Sequence, residues 1–147
     1  MKKVFFMLFL LVGVVQRSVA QGWYSDPIPS SSSYSQSKNA SLTIRNRSSY
    51  SLTVKILRTN GRGLYTTVYI SPQSSTTVSF SRSDSFFTKT KAVKGGIVPE
   101  TLYRKGGSFS VQCDGNGYTE GTLEFFVSSG GGASGKGISK AEFDSNR

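Results

Sequence analysis

The amino-acid sequence predicts an all-β protein, a single antiparallel β-sandwich of about seven to eight short strands with an immunoglobulin-like architecture. Apolar and polar residues alternate with a period of two through residues 40–129, which is typical of strands that bury one face. Turn residues separate these segments roughly every 10 to 12 residues. No segment carries the apolar stripe of an amphipathic helix, and a small β-barrel is the alternative closure.

The strands follow in order along this region. The segment SLTIRN directs Leu42 and Ile44 inward. In GLYTTVYI, Tyr65 and Tyr69 face away from Val68. The inward residues expected in the other positions are Leu52, Val54, Ile56, Leu64, Thr66, Ile70, Val78, Phe80, Phe109, Val111, Cys113, Leu123, Phe125 and Val127.

Turn residues join neighbouring strands. Asn60-Gly61 lies between two strong strands and predicts a two-residue hairpin turn. The segment DGNG, residues 114–117, predicts a second hairpin. No connection is long enough to hold a crossover helix, which disfavours a parallel sheet.

The first twenty residues are predicted to be a cleaved secretory signal peptide. Two lysines come directly after Met1, residues 4–15 form an apolar run, and SVA at residues 18–20 provides a small-x-small cleavage site. The run is too short to span a bilayer, which needs about 20 residues. Cleavage between Ala20 and Gln21 predicts a secreted, periplasmic or cell-surface protein without a transmembrane segment.

The 127 residues after this signal are basic and contain one cysteine. Without Lys2, Lys3 and Arg17 the chain has 15 basic and 8 acidic residues, a formal charge of +7. This charge suits an anionic partner, although scattered basic residues are also typical of an ordinary solvated surface. Cys113 has no second cysteine with which to pair, so no intramolecular disulfide is expected.

Composition divides the mature chain into three parts. They are a flexible Ser/Pro-rich arm (residues 21–38), the sandwich domain (residues 39–129) and a Gly-rich linker with a short polar tail (residues 130–147). Ser139 and Glu142 fit a capping box, which predicts a brief helix over residues 139–144. Such a short helix is expected to fray unless Ile138 and Phe143 dock on the domain.

The stretch GGGASGKG contains most of the phosphate-loop pattern G-x-x-x-x-G-K-[ST], with Lys136 at the lysine position. The next residue is Gly137, so the hydroxyl that would bind Mg²⁺ is missing. The pattern also needs a parallel strand before it and a helix after it. We therefore expect a linker here and no bound nucleotide.

The sequence offers little for catalysis, and we expect no enzyme activity. It contains no His, which removes the commonest general base and metal ligand. Glu120 and Glu124 share a strand face but lie about 13 Å apart, which is too far for a glycosidase pair. Asp114, Asn116 and Glu120 lack the remaining ligands of a calcium loop. No cofactor or metal site is predicted.

The candidate ligand contacts are outward aromatic residues and the basic residues near them. They are Tyr65, Tyr69, Arg62, Tyr103 and Arg104. Aromatic rings on a sheet surface stack on sugars or fill an interface, and adjacent cations suit acidic glycans. The same tyrosines are equally suited to cross-strand packing.

These features predict a secreted, non-enzymatic protein that acts in extracellular or envelope binding, adhesion or assembly, with a glycan or another envelope protein as partner. A carbohydrate-binding module that uses the outward tyrosines is one alternative, and a general binder of anionic polymers is another. Asn39 and Asn46 begin Asn-x-Ser sequons and are candidate glycosylation sites.

Signal cleavage predicts the start of the exported protein. We expect a chain that begins near Gln21, because the apolar run and the cleavage site agree in position. Intact-mass spectrometry of the protein recovered outside the cytoplasm measures this start. A form that retains residues 4–15 would contradict the prediction.

Overall fold

The computed structural model describes Val14–Val15, residues 39–128 and residues 132–147. The predicted arm at residues 21–38 and most of the predicted signal peptide lie outside these ranges. The strands are β1 (Val14–Val15), β2 (Ala40–Asn46), β3 (Ser51–Arg58), β4 (Leu64–Ile70), β5 (Ser75–Phe80), β6 (Asp84–Lys94), β7 (Glu100–Lys105), β8 (Phe109–Val111), β9 (Cys113–Asp114), β10 (Gly117–Tyr118), β11 (Glu120–Phe125) and β12 (Lys136–Gly137). The single described helix is α1 (Lys140–Asp144).

Two large sheets pack face to face, which confirms the all-β sandwich, and β9 and β10 form a separate two-stranded sheet. The first sheet has the strand order β1-β11-β2-β5, and the second has the order β12-β7-β6-β3-β4 with β8 paired beside β6. The described pairings are antiparallel except that of β2 with β11. This parallel pair was not expected. It needs no crossover helix because the rest of the domain lies between the two strands in sequence.

The core lies between the sheets and follows the predicted alternation. Leu42 and Ile44 of β2 and Val54 of β3 are buried, as are Val78 and Phe80 of β5. Each such side chain stabilises the fold by roughly 1.5 to 3 kcal/mol. Apolar burial therefore stabilises this domain, and Cys113 packs against the same core.

The outward orientation predicted for Tyr65 is wrong. The register between β3 and β4 shifts between Ile56 and Leu57, and this irregularity interrupts the alternation because one extra residue reverses the phase of a strand. The Tyr65 ring stacks on Phe80 with centroids 5.1 Å apart. Its hydroxyl donates a hydrogen bond of 2.9 Å to the Ser79 carbonyl. Tyr65 thus closes one side of the core.

The structure matches one of the two predicted hairpin turns and differs from the other. The β3–β4 hairpin exists, but residues 59–63 form a longer connection than the two-residue turn that was expected. Gly61 and Gly63 both have positive φ angles, 75° and 77°, which glycine adopts without steric cost. The DGNG turn is as predicted, because Gly117 stands opposite Asp114 in the β9–β10 hairpin.

Asn46 organises the turn that follows β2. Its amide donates hydrogen bonds to the carbonyls of Tyr50 (2.6 Å) and Ser71 (3.0 Å). Its side-chain oxygen accepts from the hydroxyl (2.6 Å) and the N–H (3.0 Å) of Ser48. The residue is only 2% exposed. A sequon was identified at Asn46, but in the folded domain this amide is buried and already fully hydrogen-bonded, whereas Asn39 is exposed.

Asn46→Ala should destabilise the domain. The substitution leaves two carbonyls and one N–H without their partner in a buried turn, so we expect the free energy of unfolding to fall by about 3 kcal/mol. Chemical denaturation followed by tyrosine fluorescence measures the change. Asn39→Ala, at an exposed sequon asparagine, is the matched control, and equal stability of the two variants would contradict the role of Asn46.

Candidate functional site

The five residues predicted to contact a ligand do not form one surface. Tyr69 is 78% exposed on the outer face of the second sheet. Across that face it is followed by Thr53, Lys91 and Tyr103 in direct register. Tyr103 is half-buried because its ring packs against Phe143, with centroids 5.5 Å apart. The outer face therefore presents one exposed tyrosine from the predicted set.

Arg62 lies apart from this row. It is exposed in the connection between β3 and β4, at the opposite end of β4 from Tyr69. Its N–H donates to the Asn60 side chain over 3.1 Å, which shapes the loop. With Tyr65 turned into the core, the predicted aromatic platform for sugars reduces to Tyr69.

Arg104 occupies the inner face of the second sheet. It stands directly opposite Thr90 of β6, and Thr90 stands opposite Val54 of β3. Directly paired residues share a face, and Val54 is buried in the core. On the other side of Arg104 lies Gly137 of β12. A Cβ at Gly137 would lie 3.4 Å from the Arg104 Nη1 atom, so the missing side chain leaves room for the guanidinium.

A cavity of about 190 Å³ opens between the two sheets beside Arg104. Its apolar walls are Ile44, Val54, Phe109, Leu123, Phe125 and Phe126. Its polar wall includes Thr88, Thr90, Ser108, Ser134 and Arg104. This combination of an apolar interior with a few polar groups is typical of small-molecule sites.

The cavity exists because small and polar residues occupy positions where a core normally has large apolar side chains. Thr88 and Thr90 are the buried inward residues at the centre of β6. Gly106 lies so close to the Thr88 hydroxyl that a Cβ would clash with it. Gly135 has a φ of 81°, and a Cβ there would lie 2.6 Å from the Lys105 carbonyl oxygen. These close contacts select glycine along one wall.

Residues 132–138, the closing segment, cover one side of the cavity. The Ser134 N–H donates to the Phe126 carbonyl over 3.1 Å, next to the bridge between Val127 and Ala133. The segment then pairs with β7 through β12. The expectation of a linker outside the domain is therefore wrong for this part. Lys136 lies in strand β12, which pairs with β7, and α1 begins only at Lys140, so the phosphate-loop geometry does not form.

Helix α1 holds the closing segment against the sheet. It begins as predicted, because the Ser139 hydroxyl accepts a hydrogen bond of 3.1 Å from the Glu142 N–H. The reciprocal contact of a capping box is replaced by an ion pair between Glu142 and Lys105, at 3.8 Å. Phe143 docks and is 5% exposed. The tail thus satisfies the condition under which the short helix was expected to be stable.

Lys89 is the residue beneath this helix, and its side chain is 1% exposed. Its ammonium donates to the main-chain oxygens of Glu142 (2.6 Å), Ser145 (2.9 Å) and Arg147 (3.0 Å). A cation at a helix C-terminus is favourable because the unpaired carbonyls carry partial negative charge. Burial lowers the pKa of Lys89; Glu142 acts in the opposite direction, while nearby Lys105 and Lys55 lower it further.

Sequence reasoning missed Lys89. The signal that was available is the unusual pattern of β6, in which two inward threonines flank a lysine. A sheet face covered by a helix can bury such a lysine, but the pattern does not reveal the cover. Thr88 and Thr90 were likewise missed as cavity residues.

The charged residues near the cavity differ in whether they form ion pairs. Glu124 borders the cavity, but its carboxylate lies 3.2 Å from Arg47 and 3.7 Å from Arg45. Arg104 makes no ion pair with any carboxylate in the described part of the chain. Within the same ranges, no group of three His, Cys, Asp or Glu residues is arranged to hold a metal ion.

The described helix, α1, is too short to cross a membrane.

No protein-family model matches this chain, and no curated protein or solved structure matches it. The immunoglobulin-like detail of the predicted architecture therefore stays a prediction. Any functional conclusion depends on the chemistry of the cavity and its surroundings.

Removal of the Lys89 ammonium should release the C-terminal helix. Lys89→Met keeps most of the apolar stem but leaves three main-chain oxygens without their donor, so we expect the free energy of unfolding to fall by about 2 to 3 kcal/mol. Hydrogen exchange should also show lost protection in α1. Lys91→Met, on the same face and two residues away, is the control. Equal stability and equal protection in both variants would contradict the role of Lys89.

Proposed function

We propose that this chain is an exported, non-catalytic binding protein that holds a small apolar molecule between its two sheets. The cavity beside β6 and β7 is the observation that carries this proposal. It is open to a ligand, and its walls come from both sheets and from the closing segment. A binding role of this kind is consistent with a secreted protein that recognises a molecule outside the cytoplasm.

The cavity volume limits the size of the ligand. An engineered protein cavity of about 150 Å³ lined by Leu, Ile and Phe binds benzene, and the cavity here is somewhat larger, about 190 Å³. Drug-sized ligands occupy about 300 to 1,000 Å³. One ring with a small substituent, or an aliphatic chain of similar volume, therefore fits best.

The residues around the cavity suit binding better than catalysis. The hydroxyls of Thr88, Thr90 and Ser134 are unactivated, because the chain has no His to act as their base. The nearby Glu124 carboxylate is paired with two arginines.

The other functions predicted from sequence have less structural support. A glycan platform needs several exposed rings on one face, and only Tyr69 of the predicted tyrosines is exposed in this way. Binding of anionic polymers needs a contiguous basic surface, whereas Lys55 and Lys89 are engaged with α1. Assembly with an envelope protein stays a prediction.

A neutral probe tests the cavity directly. Benzyl alcohol has one ring and one small polar group, so it should raise the melting temperature of the purified protein, by an amount that grows with its concentration. Thr90→Leu fills the cavity and should abolish this rise while the domain stays folded. Thr77→Leu makes the same change on the exposed face of β5 and should keep the response. A rise that persists unchanged in Thr90→Leu would place the ligand elsewhere.

A further inference from the structure

We propose that the natural ligand of the cavity carries a carboxylate and that the guanidinium of Arg104 binds it. The ligand class is a small aromatic or short aliphatic monocarboxylate. This inference rests on the proposed function, since it assigns a chemical class to a molecule in the same cavity. The apolar part of the ligand packs on the walls, and the carboxylate lies towards the β7 edge.

The position of Arg104 is unusual for a charged residue. Its row across the inner face continues with Thr90 and then with buried Val54. The chain turns a half-buried cation towards the interior of a sandwich, where a charge without a counterion is costly. Gly137 beside it leaves the guanidinium room. An anionic ligand in the cavity would supply the missing counterion, and this accounts for the position of Arg104.

Arg104 also differs from the other cations in its surroundings. Within the described ranges its guanidinium has no ion pair, while Arg58 pairs with Asp84 at 3.4 Å. Arg62 and Lys136 also lack a carboxylate partner there, but both are exposed to water. Arg104 is the cation that lines the cavity without a described anion to balance it.

Arginine suits this role because its N–H donors form a rigid fork that matches both oxygens of a carboxylate. The hydroxyl of Thr90 lines the same cavity and can donate a further hydrogen bond to the ligand, whereas the Ser134 hydroxyl already donates to the Phe126 carbonyl over 3.3 Å. A cationic ligand would face repulsion from Arg104. The Glu124 carboxylate does not reverse this preference, because Arg45 and Arg47 already neutralise it.

Three ring compounds of nearly equal size test the charge preference. They are benzoate, benzyl alcohol and benzylamine, measured by calorimetric titration of the purified protein at neutral pH. Benzoate should bind at least about tenfold more tightly than benzyl alcohol, which is the effect of a hydrogen bond to a charged group. Benzylamine should bind most weakly of the three.

Arg104→Gln should remove the benzoate advantage and leave benzyl alcohol binding nearly unchanged. Arg62→Gln, at an exposed arginine on the β3–β4 connection, should leave both affinities as they are. If benzyl alcohol and benzoate bind equally, or if benzoate affinity survives Arg104→Gln, the carboxylate assignment is wrong while the cavity still binds apolar molecules. If no ring compound binds, the proposed function fails together with this inference.

Discussion

The buried ammonium of Lys89 is the contact on which the arrangement of the site depends. It ties the C-terminal end of α1 to the outer face of the second sheet through three main-chain oxygens. The helix in turn anchors β12, which lies along β7 and brings Gly137 beside Arg104. One interaction on the outer face therefore sets the wall of a cavity on the inner face. Lys55 adds to it through the Phe143 carbonyl, at 3.1 Å.

The core of the sandwich is packed more densely on one side than on the other, and the cavity lies on the less densely packed side. On one side, Tyr65, Phe80 and Phe86 pack ring against ring with centroid distances of 4.8 to 5.2 Å. On the other side, Thr88 and Thr90 replace bulky residues, and the space between the sheets stays open. The aromatic side supplies dense packing, which the domain needs because no disulfide supports it.

The period-two pattern predicted the inner faces of most strands correctly, because side chains of a strand alternate strictly between its two faces. It failed at Tyr65, where the register shift beside Ile56 and Leu57 breaks the alternation. The Asn-x-Ser pattern also made Asn46 a candidate glycosylation site, although the folded domain buries it. The hydrogen bonds that bury Asn46 reach as far as Ser71, which is 25 residues away, and no local pattern contains them.

The sequence by itself determined the all-β class, the inward residues of the regular strands, the helix start at Ser139 and the shortage of catalytic groups. Each of these depends on residue type or on neighbours within a few positions. Only the tertiary structure decided that Arg104 faces a cavity and that Lys89 lies beneath a helix. Those outcomes depend on which strands become neighbours and on what covers each sheet face, and contacts between residues far apart in the chain decide both.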